Sequence, residues 1–65
     1  MARFIEFHSK EKRNESFIIN VKDILVIRNE SNENYSITDI KLRDGSLYRV
    51  AETKKEIVDI LNGMR

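Results

Sequence analysis

The fold is decided by residues 35–64, which read YSITDIKLRDGSLYRVAETKKEIVDILNGM. This stretch holds an Asp44-Gly45 pair between two runs of β-forming residues, and Asp-Gly in that setting is the strongest short-range signal for a β-hairpin. A helical pattern follows within a few residues, which leaves no room for a long loop. We therefore expect a hairpin that leads directly into a helix.

Two hairpin loops compete, and they differ by one residue in register. A two-residue loop at the Asp-Gly pair would scatter the apolar side chains of both strands over two faces. A three-residue loop at 43–45, with the glycine in the left-handed conformation, opposes Ile40 to Tyr48 and collects the apolar residues on one face. It also opposes Asp39 to Arg49, an attractive cross-strand pair. The pattern therefore favours the three-residue loop.

The helix is predicted to begin at Thr53, because Thr53 and Glu56 have the spacing of a capping box. Apolar residues then recur with helical spacing, and Val58 widens their stripe; they are Ile57, Ile60, Leu61 and Met64. Gly63 is expected to end the helix by turning left-handed. The predicted helix therefore covers residues 53–62.

The N-terminal half adds three predicted strands, at residues 2–9, 16–21 and 25–29. Asn20 can cap one helical turn between the second and third of these strands. The predicted fold class is α+β: a small antiparallel β-meander of about five short strands, either open or curled into a partly closed barrel, with one C-terminal helix packed on the sheet. The 65 residues are expected to form a single domain, 1–65.

The strands carry more apolar residues than one helix can cover. Strands exposed on one face should alternate between apolar and polar residues. The first two strands instead have apolar residues at both odd-numbered and even-numbered positions, and residues 24–27 are apolar at four successive positions. We therefore predict a homodimer or a higher closed oligomer, whose interface is drawn from Phe4, Ile18, Leu25 and Ile27.

Composition restricts how so small a chain can be stabilised. A chain of this size buries only about 60% of its unfolded surface and needs further support. It has no cysteine and a single histidine, His8, so disulfides and a zinc site are not expected, and neither is a cofactor. No long apolar run or cationic leader is present, which predicts a soluble, cytoplasmic protein without membrane association.

No catalytic arrangement can be found in the sequence. It has no cysteine nucleophile, no glycine-rich phosphate loop and no metal-binding His-Glu helix. His8 ends a predicted strand, where a surface or edge position is more plausible than a catalytic base. We expect a protein that is not an enzyme, without catalytic, metal or cofactor-binding residues.

Residues 20–61 carry a series of motifs: Asn20, Ile24 and Ile27, then Ile37, Ile40-Lys41-Leu42, Asp44-Gly45, Tyr48, Val50, Glu52-Thr53 and Glu56-Ile57. The series resembles the small flagellar FlbD-like proteins, which have a similar length. The positions shared are those of the hairpin, the cap and the core.

A second resemblance covers part of the same region. Residues 21–27 and 44–46 are similar to the first half of LytTR DNA-binding domains. The second half, which carries much of that family's base contacts, has no counterpart here. The longer N-terminal hairpin departs from the FlbD pattern, which leaves a small phage or mobile-element accessory protein as a third interpretation.

Three functions remain, of which the third, a very small enzyme, requires a site that the sequence does not show. The first is a protein-interaction or assembly module that self-associates through an apolar strand face. The alternative is a nucleic-acid-binding module, although a net charge of +1 with interleaved signs argues against a basic footprint. In that alternative, phosphates would be contacted by Arg3, Lys12, Arg13, Arg28, Lys41, Arg43 and Arg49, and a base would stack on Tyr35 or Tyr48.

Overall fold

The computed structural model describes residues 3–63, which form five antiparallel strands and one α-helix in the predicted order. One turn of 3₁₀ helix, Val21–Asp23, separates the second and third strands, and Asn20 caps it as predicted. The elements are β1 (Phe4–His8), β2 (Ser16–Asn20), β3 (Ile24–Ser31), β4 (Ser36–Leu42), β5 (Leu47–Val50) and α1 (Lys54–Asn62).

The five strands form two sheets, β1-β2 and β3-β4-β5. The sheets meet at one corner, where Ser9 forms an isolated bridge with Val50 and the amide of Ala51 donates to the carbonyl of His8 at 2.7 Å. They do not close into a barrel, so the open form of the predicted fold is the one observed. The 3₁₀ turn lies where the chain passes from the first sheet to the second.

The β4-β5 hairpin has the predicted three-residue loop. Ile40 faces Tyr48 and Asp39 faces Arg49. The amide of Leu42 donates to the carbonyl of Ser46 at 2.8 Å, which closes the loop. Gly45 has a φ of 94°, in the left-handed region that glycine adopts without strain.

Substituting Gly45 by alanine should destabilise the fold by about 1–2 kcal/mol. No heavy atom lies within 4 Å of the Cβ that alanine would add, so the cost arises from the backbone conformation alone. The matched control is Gly63→Ala, because Gly63 already has a right-handed φ of −73°. Urea denaturation of both variants checks this; equal losses of stability would contradict the argument.

The α1 helix begins at the predicted capping box. The Thr53 hydroxyl accepts from the Glu56 amide and the Glu56 carboxylate accepts from the Thr53 amide, both at 3.1 Å. The helix ends at Asn62, but the predicted left-handed conformation of Gly63 is wrong. Its amide still bonds to the carbonyl of Asp59 at 3.0 Å, which continues the helical pattern for one residue. Met64 lies outside the described residues.

The core lies between the two sheets. Its buried residues are Ile5, Phe7, Ile19, Ile40, Val50 and Ile57. Only Ile57 comes from the helix, whereas Leu61 is half-buried and Val58 and Ile60 are exposed. The predicted apolar stripe of the helix is therefore only partly buried, because the inner faces of the sheets supply most of the core. Within residues 3–63, no helix has the length and apolar character needed to cross a membrane.

A β-bulge in β3 explains the apolar run at residues 24–27. Ile24 pairs with Leu42, but Val26 pairs with Lys41, so Leu25 is the extra residue. Ile24 and Ile27 consequently both pack on the core, while Leu25 and Val26 are exposed.

Candidate interaction surface

Two large apolar side chains lie together on the outer face of the β1-β2 sheet. Phe4 is 59% exposed and Ile18 is 72% exposed. Phe4 pairs with Asn20 and Glu6 pairs with Ile18, so Phe4 and Ile18 are diagonal neighbours on this face. We call these two residues the outer apolar pair. Local alternation places them there, because Ile5, Phe7 and Ile19 occupy the inner face.

The other two residues predicted for the interface are not equivalent. Leu25 is 54% exposed at the bulge of β3. Ile27 instead lies on the inner face of its sheet opposite Ile40 and is half-buried against the core. It also lines a groove with Val58 and Leu61 of the helix. Ile27 therefore does not belong to the exposed set, unlike the other three residues predicted for the interface.

The outer face of the β3-β4-β5 sheet is mixed in character. The pairing places Asp39 between Arg28 and Arg49. Arg49 Nε lies 2.9 Å from Asp39 Oδ1, and a second bond joins the same groups at 3.2 Å. This hydrogen bonding and the carboxylate charge raise the pKa of Arg49. The next row across the sheet is Val26, Lys41 and Leu47, with the lysine in the middle.

The cations predicted to contact nucleic acid do not form one stripe. Arg3 precedes β1, Lys12 and Arg13 lie in the β1-β2 loop, and Arg43 lies in the β4-β5 loop. Arg28, Lys41 and Arg49 share the outer face of the second sheet with Asp39. The Arg43 guanidinium also donates to the carbonyl of Lys22 at 2.9 Å.

The two tyrosines proposed for base stacking differ in environment. Tyr48 is half-buried, and its ring centroid lies 4.7 Å from that of Phe17, so its ring is engaged inside the protein. Tyr35 is exposed in the turn after β3, and its hydroxyl lies 3.4 Å from the Glu30 carboxylate. Only Tyr35 therefore presents a ring at the surface, and it stands beside an acid.

A histidine-glutamate pair ties β1 to the start of the helix. The Glu52 carboxylate accepts from the backbone amide of His8 at 2.9 Å and contacts the ring Nδ1 at 2.6 Å. The His8 amide lies next to the Ser9-Val50 bridge, and the Glu52 carboxylate accepts its hydrogen bond where a neighbouring strand would otherwise do so. Sequence reasoning missed the pair because 44 positions separate its members and neither residue has a local signal.

The contact shifts the pKa of both groups. Hydrogen bonding to the Glu52 carboxylate and its charge raise the pKa of His8 above its ordinary 6.5, and Glu6, on the same face of β1, contributes. Burial opposes ionisation of Glu52, but the hydrogen bonds from His8 outweigh it and hold the pKa of Glu52 below its ordinary 4.5.

The His8-Glu52 pair should make the stability fall at acid pH, where Glu52 gains a proton, and at alkaline pH, where His8 loses one. A raised histidine pKa stabilises fully below 6.5, and this contribution is lost as pH rises through the folded-state pKa. A lowered glutamate pKa stabilises fully above 4.5, and this contribution is lost as pH falls through the folded-state pKa. Urea midpoints of the wild type and His8→Gln should therefore differ more at about pH 5.5 than at about pH 8.5. A constant difference would contradict the assignment.

Among the residues that the structure describes, no group of three His, Asp or Glu side chains could hold a metal ion. No protein-family model matches the chain, and the searches of curated proteins and of solved structures returned no match. The similarity to FlbD-like proteins therefore stays a prediction that depends on the motifs alone.

Proposed function

We propose that this protein is a small, non-enzymatic interaction module that self-associates through the outer face of its β1-β2 sheet. The observation that carries the proposal is the outer apolar pair, in which Ile18 is 72% and Phe4 is 59% exposed side by side. Exposed apolar side chains that are neighbours on one sheet face are candidates for protein association.

Burial of the outer apolar pair would supply a driving force. Fully burying a side chain such as Ile or Phe is worth about 1.5–3 kcal/mol. The chain's own helix does not provide this cover, because it contacts the core through Ile57 on the opposite side of the sheet. Since residues 3–63 leave Phe4 and Ile18 exposed, a second molecule is the source of apolar contact that we propose for them.

The arrangement of charge favours this function over nucleic-acid binding. The cations on the second sheet are interleaved with Asp39, and the remaining cations lie in separate loops. Phosphate contacts would make binding fall steeply with salt concentration. An oligonucleotide that bound at low salt and dissociated with such a slope would support the alternative instead.

The proposal can be tested by amide NMR spectra recorded over a dilution series. We expect the Phe4 and Ile18 resonances to shift with concentration between about 10 μM and 1 mM, which corresponds to weak association. Val58, an exposed apolar residue on the helix, provides the internal control. Spectra that do not change over this range would overturn the proposal.

A further inference from the structure

We propose that the open edge of β2 pairs with β2 of a second copy, antiparallel and centred on Ile18. The two copies would then share a continuous four-stranded sheet in the order β1-β2-β2-β1. This inference rests on the proposed self-association and places the contact at the edge of the β1-β2 sheet, so that the outer faces of the two copies join into one.

The hydrogen bonds of the β1-β2 hairpin fix which groups point to the open edge. The Ser9 amide donates to the Glu15 carbonyl, and the Val21 amide donates to the Arg3 carbonyl, both at 2.9 Å. Hydrogen-bonded and non-hydrogen-bonded pairs alternate along an antiparallel ladder. The odd-numbered residues of β2 are therefore bonded to β1.

The even-numbered residues of β2 consequently direct their backbone groups away from β1. These residues are Ser16, Ile18 and Asn20. β2 has no strand partner on that side among residues 3–63. The Asn20 carbonyl is the first acceptor of the 3₁₀ turn, so the groups that remain for a new partner are centred on Ile18.

The edge of β2 lacks the features that usually prevent strand association. Edge strands are normally protected by charged side chains, proline, bulges or a covering element. β2 reads Ser-Phe-Ile-Ile-Asn, with no charge, no proline and no shift in register.

The other sheet edges carry such protection. β3 has the bulge at Leu25 and the charged residues Arg28 and Glu30. The α1 residue Val58 also lines a groove beside the inner residue Ile27 of β3. On the far side of β1, the Ser9 bridge and the Glu52 carboxylate occupy the end of the strand. The same bridge to Val50 and the bond from the Lys10 amide to the Arg49 carbonyl occupy the far edge of β5. Among residues 3–63, β2 is therefore the edge strand best suited to pair with a strand of another molecule.

A second copy fits this edge because the strand is complementary to itself. In the register centred on Ile18, the two Ile18 residues exchange two backbone hydrogen bonds, and each Asn20 amide meets the Ser16 carbonyl of the other copy. No charged side chain of β2 opposes a like charge. The interface is isologous, as two-fold dimers require.

The side chains also match in this register. On the outer face, the two Ile18 side chains meet at the centre, Glu6 of each copy flanks them in the same row, and Phe4 of each copy is a diagonal neighbour of its own Ile18. On the inner face, Phe17 of one copy lies beside Ile19 of the other. A five-residue strand is only about 17 Å long, so the interface falls below about 1,200 Å² and the dimer should be weak.

Engineered cysteines test the register directly, because the chain has no cysteine of its own. In the proposed dimer, Ile18→Cys places two Cα atoms about 5.5 Å apart, within disulfide range. Phe4→Cys is the matched control from the same face, with its two copies three strand spacings apart across the sheet and four residues apart along the strands, or about 20 Å in all. Under mild oxidation, Ile18→Cys should therefore cross-link at least about tenfold faster than Phe4→Cys.

A mixed experiment fixes the register further. Ser16→Cys and Asn20→Cys should cross-link when the two variants are combined and much less when each is oxidised alone. In the unsubstituted protein, exchange of the Ile18 amide should slow by at least about tenfold between dilute and concentrated samples.

The alternative outcomes separate this inference from the proposed function. Rapid cross-linking of Phe4→Cys without Ile18→Cys, or a dimer whose Ile18 amide exchanges at the monomer rate, would show that the copies stack face to face. That result overturns the edge pairing and leaves self-association standing. A monomer at every concentration with no cross-linking above a Val58→Cys control would overturn both.

Discussion

Replacing Phe7 with alanine should lower the free energy of unfolding by about 3–5 kcal/mol. The Phe7 side chain is completely buried in the core between the two sheets. Truncation of a buried phenylalanine costs about 3–5 kcal/mol, from lost apolar burial and from the cavity left behind. A chain of 65 residues has roughly 3–10 kcal/mol of stability in total. The loss therefore consumes a large part of the stability.

Phe4→Ala is the matched control, since Phe4 is in the same strand but points outward and is 59% exposed. Its effect on the unfolding free energy of the monomer should stay within about 0.5 kcal/mol. Circular dichroism during urea denaturation, at a concentration too low for association, measures both variants. If the two substitutions cost the same, the assignment of inner and outer faces in β1 is wrong.

Replacing Ile18 with lysine should weaken self-association by at least about 100-fold. The symmetric interface carries the substitution twice, so two apolar contacts are lost and two like charges are brought together. Lysine is also the residue that natural edge strands use against pairing. Because Ile18 is 72% exposed in the subunit, the fold itself should survive.

Val58→Lys provides the control for the lysine substitution. Val58 is also exposed and apolar, but it lies on α1 and outside the proposed interface. Sedimentation velocity should show loss of the associated species for Ile18→Lys alone, with unchanged far-ultraviolet circular dichroism for both variants. An equal loss of association in the two variants would indicate a general effect of charge instead of a specific contact.

Sequence alone was sufficient where the deciding residues are close together. The loop at 43–45 was predictable because only one register collects the apolar residues of the hairpin on one face. The capping box of Thr53 and Glu56 was predictable because its two members are three residues apart. The order of the strands followed from the same kind of local signal.

Features that depend on tertiary packing were not predictable. The bulge at Leu25 shifts the alternation of β3, so that Leu25 points outward while Ile27 points inward. A regular strand would place both residues on one face. The pairing of His8 with Glu52 is likewise invisible in sequence, because it depends on the corner at which the two sheets meet.

The candidate interaction surface was predictable in part. The apolar residues at both parities of β1 and β2 indicated apolar surface that a single helix could not cover, and Phe4 and Ile18 are indeed exposed. The open edge of β2 was not predictable, since it depends on which strands pair across the fold. The edge is open because the five strands form two separate sheets, so that β2 does not pair with β3.

Sedimentation equilibrium over a range of concentrations tests self-association most directly. The subunit mass is 7.7 kDa. The account predicts a mass that rises from this value towards twice this value as the concentration increases from about 10 μM to about 1 mM. A mass that stays at that of one subunit throughout would contradict it.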